Sequence, residues 1–347
     1  MGRRMEVCHV GIDMAKAKFD VAARREGMKG PRRKRGENTA AGRGEFIGWL
    51  RANGFEGAVV CMEATGRYGE KLTEELHDAG FTVCVANPAQ VKAFLAARGA
   101  KNKTDEADAE GILEFCIRMD PQPWTPPPAS VRRLRELVGL REAALAEKIA
   151  WDNRIESGLS DEPAAVARKA SEESAARIAD LDRRIEELIG SDDDLDGKRK
   201  LLATIPGVGA ATITALLAEL PAEPPKGAKE AAAWAGLNPS RRESGTTVGR
   251  TCLSRGGNRR VKKAMYMAGL SASQHNPALK PFVARLRERG LKGKQVICAA
   301  ARKLVAICCA VLRTGKPFDP SYKSPGAKIV PITNLIPADD IKSSAVG

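Results

Sequence analysis

Two short runs, EVCHVGID and FDVAARR, carry the apolar pattern of paired strands joined by a tight turn. The basic stretch that follows, with Arg24, Arg25, Lys29, Arg32, Arg33, Lys34 and Arg35, has no apolar period and reads as a solvated loop. Helix AGRGEFIGWLRANG, strand GAVVCME, helix YGEKLTEELHDAG, strand FTVCVANP and helix PAQVKAFLAARG come next, the last with proline in its first turn. Strands first paired and then alternating with helices predict a mixed α/β sheet. The segment NKTDEADAEGILEF should form the next helix. Thr104 would be its N-cap, and Ile112, Leu113, Phe115 and Ile117 its apolar positions.

Beyond the proline-rich linker DPQPWTPPPAS the pattern becomes wholly helical. Leu134, Leu137, Val138, Ala144, Leu145 and Ile149 form one stripe, and Ile178, Leu181, Ile185 and Leu188 form another. A break at SDEP would fold these long helices into a hairpin, which could also serve dimerisation. The acidic run SDDDLDG marks a further boundary, ahead of a Gly-rich, basic helical region. From Gly315 onward periodicity is lost, as in a loosely ordered tail. The expected fold class is α/β plus α, divided as 1–122, 129–190, 198–313 and a tail at 314–347, with no internal repeat.

Charge changes the picture. Among 347 residues, 57 Lys and Arg face 43 Asp and Glu, a formal net charge of +14, which favours a polyanionic partner such as nucleic acid. The 8 cysteines sit in apolar segments with no CxxC pair and only 3 histidines, so they read as reduced, buried thiols of a cytoplasmic protein. No signal peptide is expected. The apolar run VICAAARKLVAICCAVL is interrupted by Arg302 and Lys303, so no membrane contact is expected either.

Against that basic background the acidic segment needs a reason. On a helix Asp105 and Asp108 lie at i and i+3 and share a face, whereas Glu106 points elsewhere. Asp13 and Glu63 each close a strand, so both can meet at one end of a sheet beneath that helix. Such a cluster of hard oxygen ligands suits two magnesium ions, which can stabilise the attacking and leaving oxygens of a phosphodiester. An acidic first turn complementing the helix dipole is the competing reading of residues 105–110.

A second set of residues lies in the helical region. Ile205-Pro-Gly-Val-Gly209 between two apolar helices has the form of a helix-hairpin-helix turn, where Gly207 and Gly209 would bring backbone amides to a phosphate. Farther on, Arg241, Arg242, Arg250, Arg255, Arg259, Arg260, Lys262 and Lys263 surround small polar residues and glycines, a phosphate-binding composition. Ser240, Ser244 and Ser254 are possible oxygen nucleophiles there, and Tyr266, in an apolar helical pattern, is another.

GIDMAK, MEATGRY, NKTDEADA, IPGVG, WAGLNPSRRESGTTVGR and GGNRRVKKAMYMAGLSASQHNP occur in the order found in the DEDD transposases of the IS110 insertion-sequence family. The RESGT and YMA segments resemble its eleven-eleven subgroup, and the resemblance spans about residues 5–313. It implies a RuvC-like (ribonuclease-H-like) domain, a coiled-coil connector and a C-terminal transposase domain. It also implies Asp13, Glu63, Asp105 and Asp108 as a magnesium-binding tetrad, with Ser244 as the nucleophile. The partners implied are donor and target DNA, a noncoding bridge RNA, and further copies of the chain in a dimer or tetramer. Arg32, Arg33, Lys34 and Arg35 are candidates for holding RNA. Lys262, Lys263 and Ala264 depart from the family's usual pattern. Two other classes stay open: a RuvC-like junction nuclease using water, and a helix-hairpin-helix DNA-binding protein with a degenerate nuclease domain.

Overall fold

A computed structural model describes residues 8–64, 67–98, 105–240, 252–254 and 256–321, with the side chains of Arg67, Asp105, Glu106 and Ser240 excepted. Thr104, the expected cap, and residues 322–347 of the expected tail lie outside the described residues. The chain divides into two compact units, 1–126 and 127–347.

The first unit is built on a five-stranded sheet ordered β3-β2-β1-β4-β5. Its strands are β1 (Cys8–Met14), β2 (Lys18–Arg25), β3 (Arg32–Glu37), β4 (Val59–Glu63) and β5 (Thr82–Ala86). The first three are antiparallel, and β1, β4 and β5 are parallel. Helices α1 (Ala40–Ala52), α2 (Arg67–Asp78), α3 (Pro88–Ala97) and α4 (Asp105–Met119) complete the unit. Alternation assigns the faces. Val10, Ile12, Phe19, Val21, Val60 and Met62 pack with Phe46 and Leu50 of α1 and Leu72 and Leu76 of α2. Cys61, Cys84 and Ala86 face Val91 of α3 and Ile112, Phe115 and Cys116 of α4. Thr39 and Asn87 cap α1 and α3 by accepting from the amides of Gly42 and Ala89. This strand order, with a helix on each face, is consistent with a RuvC-like domain.

The second unit is almost wholly helical. Helices α5 (Ala129–Glu156) and α6 (Asp161–Ser191) pack antiparallel. Arg141 meets Asp182, Arg177 donates to Glu147 at 2.6 Å, and Ser171 donates to Asp152 at 2.6 Å, so positions climb one helix as they descend the other. The reversal occupies 157–160. SDEP, expected as the break, mostly forms the first turn of α6, where acids and an early proline are tolerated. Ile149, expected on the packed stripe, is 50% exposed.

The base of this hairpin shares one core with α7 (Asp193–Ala203), α8 (Ala210–Glu219), α9 (Ala228–Trp234), α10 (Arg259–His275) and α12 (Gly293–Thr314). The acidic run is the start of α7: Asp192 accepts from the amide of Leu195, with three acids in the first turn. Helix α11 (Lys280–Glu288) packs on α12. By length and composition α12 could cross a membrane. Here Ala301, Leu304, Val305, Cys308 and Cys309 are buried in the common core instead. Phe318 also packs on that core, and its amide donates to Thr204. All eight cysteines are free. Burial pushes the Cys84 thiol up to about 11 and that of Cys309 up to about 12, so both stay protonated and unreactive.

Candidate active-site residues

The sheet register places charged residues in one row. Asp13 of β1 is opposite Asp20 of β2, and Asp20 is opposite Arg35 of β3. Ile12 pairs with Met62 in the parallel β1/β4 ladder, so Asp13 and Glu63 follow at the next position. Directly paired residues share a face, and this row lies on the face covered by α4.

Gly11 lets that helix come close. A methyl group there would overlap the Leu113 amide and the Ala109 carbonyl, so α4 lies backbone against backbone on β1. Its direction follows from its ion pairs. Glu114 meets Arg24 of β2 at 2.9 Å, and one turn earlier Glu110 meets Arg33 of β3. Arg24 is level with His9 and Arg33 is level, through Ala22, with Gly11. The helix therefore runs antiparallel to β1, and its first turn, with Asp105 and Asp108, lies toward the Asp13 end of the sheet. Among the described residues no three His, Cys, Asp or Glu side chains are gathered as a metal site; the Asp105 side chain is not among them.

Glu110 and Glu114 dock α4 onto the arginines of the sheet, with Arg98 and Arg118 also on Glu114. The basic stretch expected as a loop ends in strand β3, and alternation divides its cations. Arg33 and Arg35 reach Glu110 and Asp20 on the α4 face. Arg32 binds Asn53, and Lys34 lies 6.0 Å over the Trp49 ring, on the α1 side. Sequence reasoning missed Asp20. An acid inside the otherwise apolar run FDVAA was the available signal, since such a residue needs a buried partner.

In the second unit Gly207 has φ +94°, and a side chain there would overlap Ala272 of α10. The turn is held from the same helix end, where the Asn276 side chain donates through Nδ2 to the Pro206 carbonyl at 3.0 Å. Gly209 is the exposed N-cap of α8, with no side-chain cap, followed by exposed Ala210 and Ala211. Arg259 is exposed. Arg260 is half-buried and bridges Glu142 of α5, at 2.8 Å, to Glu219 of α8. Lys262 donates to the carbonyls of Ser254 and Gly256. Two short strands, β6 (Pro239–Ser240) and β7 (Cys252–Leu253), pair antiparallel and bracket residues 241–251. Ser244, Arg241, Arg242, Arg250 and Arg255 lie outside the described residues. Ser254 accepts from the Gly256 amide, and Tyr266 is half-buried on α10.

A five-stranded α/β unit with an acidic row beneath a helix, joined in sequence to a basic helical unit, is consistent with an enzyme acting on nucleic acid. Comparison with known proteins makes this specific. A family model of DEDD-type IS110 transposases matches residues 10–161, and a second, described as transposase of the IS116/IS110/IS902 family, matches residues 199–284. The pilin gene-inverting protein of Moraxella bovis is 29% identical over 320 residues, covering 91% of this chain and 98% of that protein. Its counterpart in Moraxella lacunata is equally similar over the same shares. An insertion element IS110 protein of Streptomyces coelicolor is 33% identical over 116 residues, covering 33% of this chain and 29% of its own. The chain belongs to the IS110 family of transposases, enzymes that act on DNA.

Proposed function

We propose that the protein cuts and rejoins the DNA strands of an insertion sequence through a serine nucleophile, Ser244, assisted by metal ions and guided by a bridge RNA. The observation that carries this reading is the register that sets Asp13 beside Glu63 on the face docked by the acidic helix α4. Carboxylate oxygens are the donor set that suits magnesium, so Asp13, Glu63, Asp105 and Asp108 would hold the ions. When bound, such ions spread the charge that develops on a scissile phosphate.

The chain's own residues supply the rest. Attack forms a bond between the Ser244 oxygen and phosphorus while the bond from phosphorus to a deoxyribose oxygen breaks, and the proton given up by the serine is matched by one taken up by the departing oxygen. The phosphoserine link retains the ester until a hydroxyl of another strand displaces Ser244. The exposed amides opening α8 at Gly209 and the exposed Arg259 suit backbone phosphates. That the Moraxella relatives are described as inverting a pilin gene supports strand exchange rather than simple hydrolysis. Within this reading, residues 1–122 are the catalytic domain, 129–190 a coiled-coil connector that serves assembly into dimers or tetramers, and 198–313 the domain bearing the nucleophile. The enzyme would work in the bacterial cytoplasm on nucleoid DNA.

The test is a reaction with magnesium, bridge RNA and donor and target duplexes, followed by denaturation. A protein-DNA adduct on the peptide RRESGTTVGR is expected from the wild-type chain and none from Ser244→Ala, which should also lose strand exchange. Cleavage without an adduct, only modestly slowed in Ser244→Ala, would instead establish a water-using nuclease. An adduct on Tyr266 would move the nucleophile to α10.

A further inference from the structure

Asp20 has no part in the tetrad, yet it occupies the same row. It is 6% exposed, directly opposite Asp13, and is bound by Arg35 through Nε at 2.8 Å, with Lys18 3.9 Å away. Opposed side chains in an antiparallel pair have Cβ atoms about 5 Å apart, close enough for each charge to be felt by the other. A buried carboxylate beside another carboxylate is unfavourable unless something offsets it. The edge strand supplies Arg35 and, one alternate position earlier, Arg33 on Glu110 of α4. Strand β3 thus delivers cations to the acidic face from its outer side.

We infer that Asp20 and Arg35 form a charge-balancing pair that positions Asp13 and sets the divalent-cation affinity of the acidic row. The inference rests on reading Asp13, Glu63, Asp105 and Asp108 as metal ligands. Its logic is a balance of signs. With both members present, the charges of Asp20 and Arg35 offset each other at the Asp13 position. Neutralising Asp20 alone removes one negative charge from the row while the positive charges of Arg35 and Lys18 stay, which opposes binding of a divalent cation. Neutralising Arg35 alone leaves Asp20 as extra negative charge, which favours the cation while destabilising the metal-free protein. A pair that merely fastened β2 to β3 would give the same sign for both changes.

The experiment measures Mn2+ binding to the full-length protein, free of nucleic acid, by titration calorimetry, with metal-free melting temperature as a second readout. Asp20→Asn should weaken Mn2+ binding about threefold to tenfold, a modest range because the Arg35 side chain is 58% exposed and partly screened. Arg35→Gln should bind Mn2+ as tightly as wild type or more so while melting lower without metal, and Arg35→Lys should match wild type. The double variant should return to within about threefold of wild type. Weaker binding in both single variants, with the double variant weaker still, would overturn the inference. So would an unchanged affinity in Asp20→Asn. Arg35 lies on the exposed edge strand, so its variants decide the matter even if Asp20→Asn does not fold. Asp13→Asn separates the two readings: if it binds Mn2+ like wild type, the metal-site assignment fails first, whereas its loss with Asp20→Asn unaffected removes the pair's role alone.

Discussion

Two glycines show how differently one residue type serves this chain. Gly11 is a contact point: the backbone of α4 occupies the space a side chain would fill. Gly44, inside α1, has open space around its Cα. Gly11→Ala must push α4 away from β1, carrying the first turn of α4 away from the row, and overpacking of this kind costs about 1–3 kcal/mol. Gly44→Ala should stabilise by up to about 1 kcal/mol through helix propensity. Denaturant melts of the two variants should move in opposite directions, and only Gly11→Ala should lose strand cleavage. Equal, small shifts would mean that α4 is not held against β1 as described.

At the scale of elements, apolar periodicity made most of the fold legible, and the exceptions have physical causes. Strand β3 reads RRKRGE, with no apolar position, because its partners are carboxylates, an aromatic ring and the Phe19 side chain under Gly36 rather than an oily core. The packed stripe of α6 begins with Ala164, Ala167, Ser171 and Ser174, residues too small to register as a seam, and only its second half was visible. Asp13 and Glu63 could be picked out because acids at strand ends stand out, but Asp20 was hidden inside a strand. The acidic run before α7 looked like a boundary and is an N-cap. Its Asp192 carboxyl is held below the usual carboxylate range first by the Leu195 amide and then by Ser130. A carboxyl with a lowered pKa in the folded state contributes fully above its unfolded pKa and loses that contribution as pH falls through the folded value. Asp192→Ala should therefore cost about 1 kcal/mol near neutrality. The gap from wild type should close below the ordinary carboxylate range, as thermal melts across acid pH would show. A gap independent of pH would assign the effect to packing.

For the molecule as a whole, a net charge of +14 makes nucleic acid the natural partner, but charge alone does not say which cations face it. The neighbours Arg259 and Arg260 were indistinguishable in sequence. Packing separates them: Arg259 is exposed, whereas Arg260 joins α10 to α5 and α8 through Glu142 and Glu219, with Arg135 also on Glu219. Removing one partner from a largely buried ion network strands the other charges, at a cost of about 3 kcal/mol. Arg260→Gln should thus lower the denaturation midpoint while leaving the salt dependence of DNA binding near wild type. Arg259→Gln should leave the midpoint unchanged, weaken binding to all duplex sequences alike, and reduce the slope of log affinity against log salt by about 1, as expected for one lost phosphate contact. Binding isotherms at several salt concentrations, paired with denaturant melts of the same preparations, read both quantities. If Arg260→Gln changed the salt slope and left stability intact, the guanidinium would have to leave its carboxylates to meet phosphate, and the bridge between α5, α8 and α10 would be a switch instead of a brace.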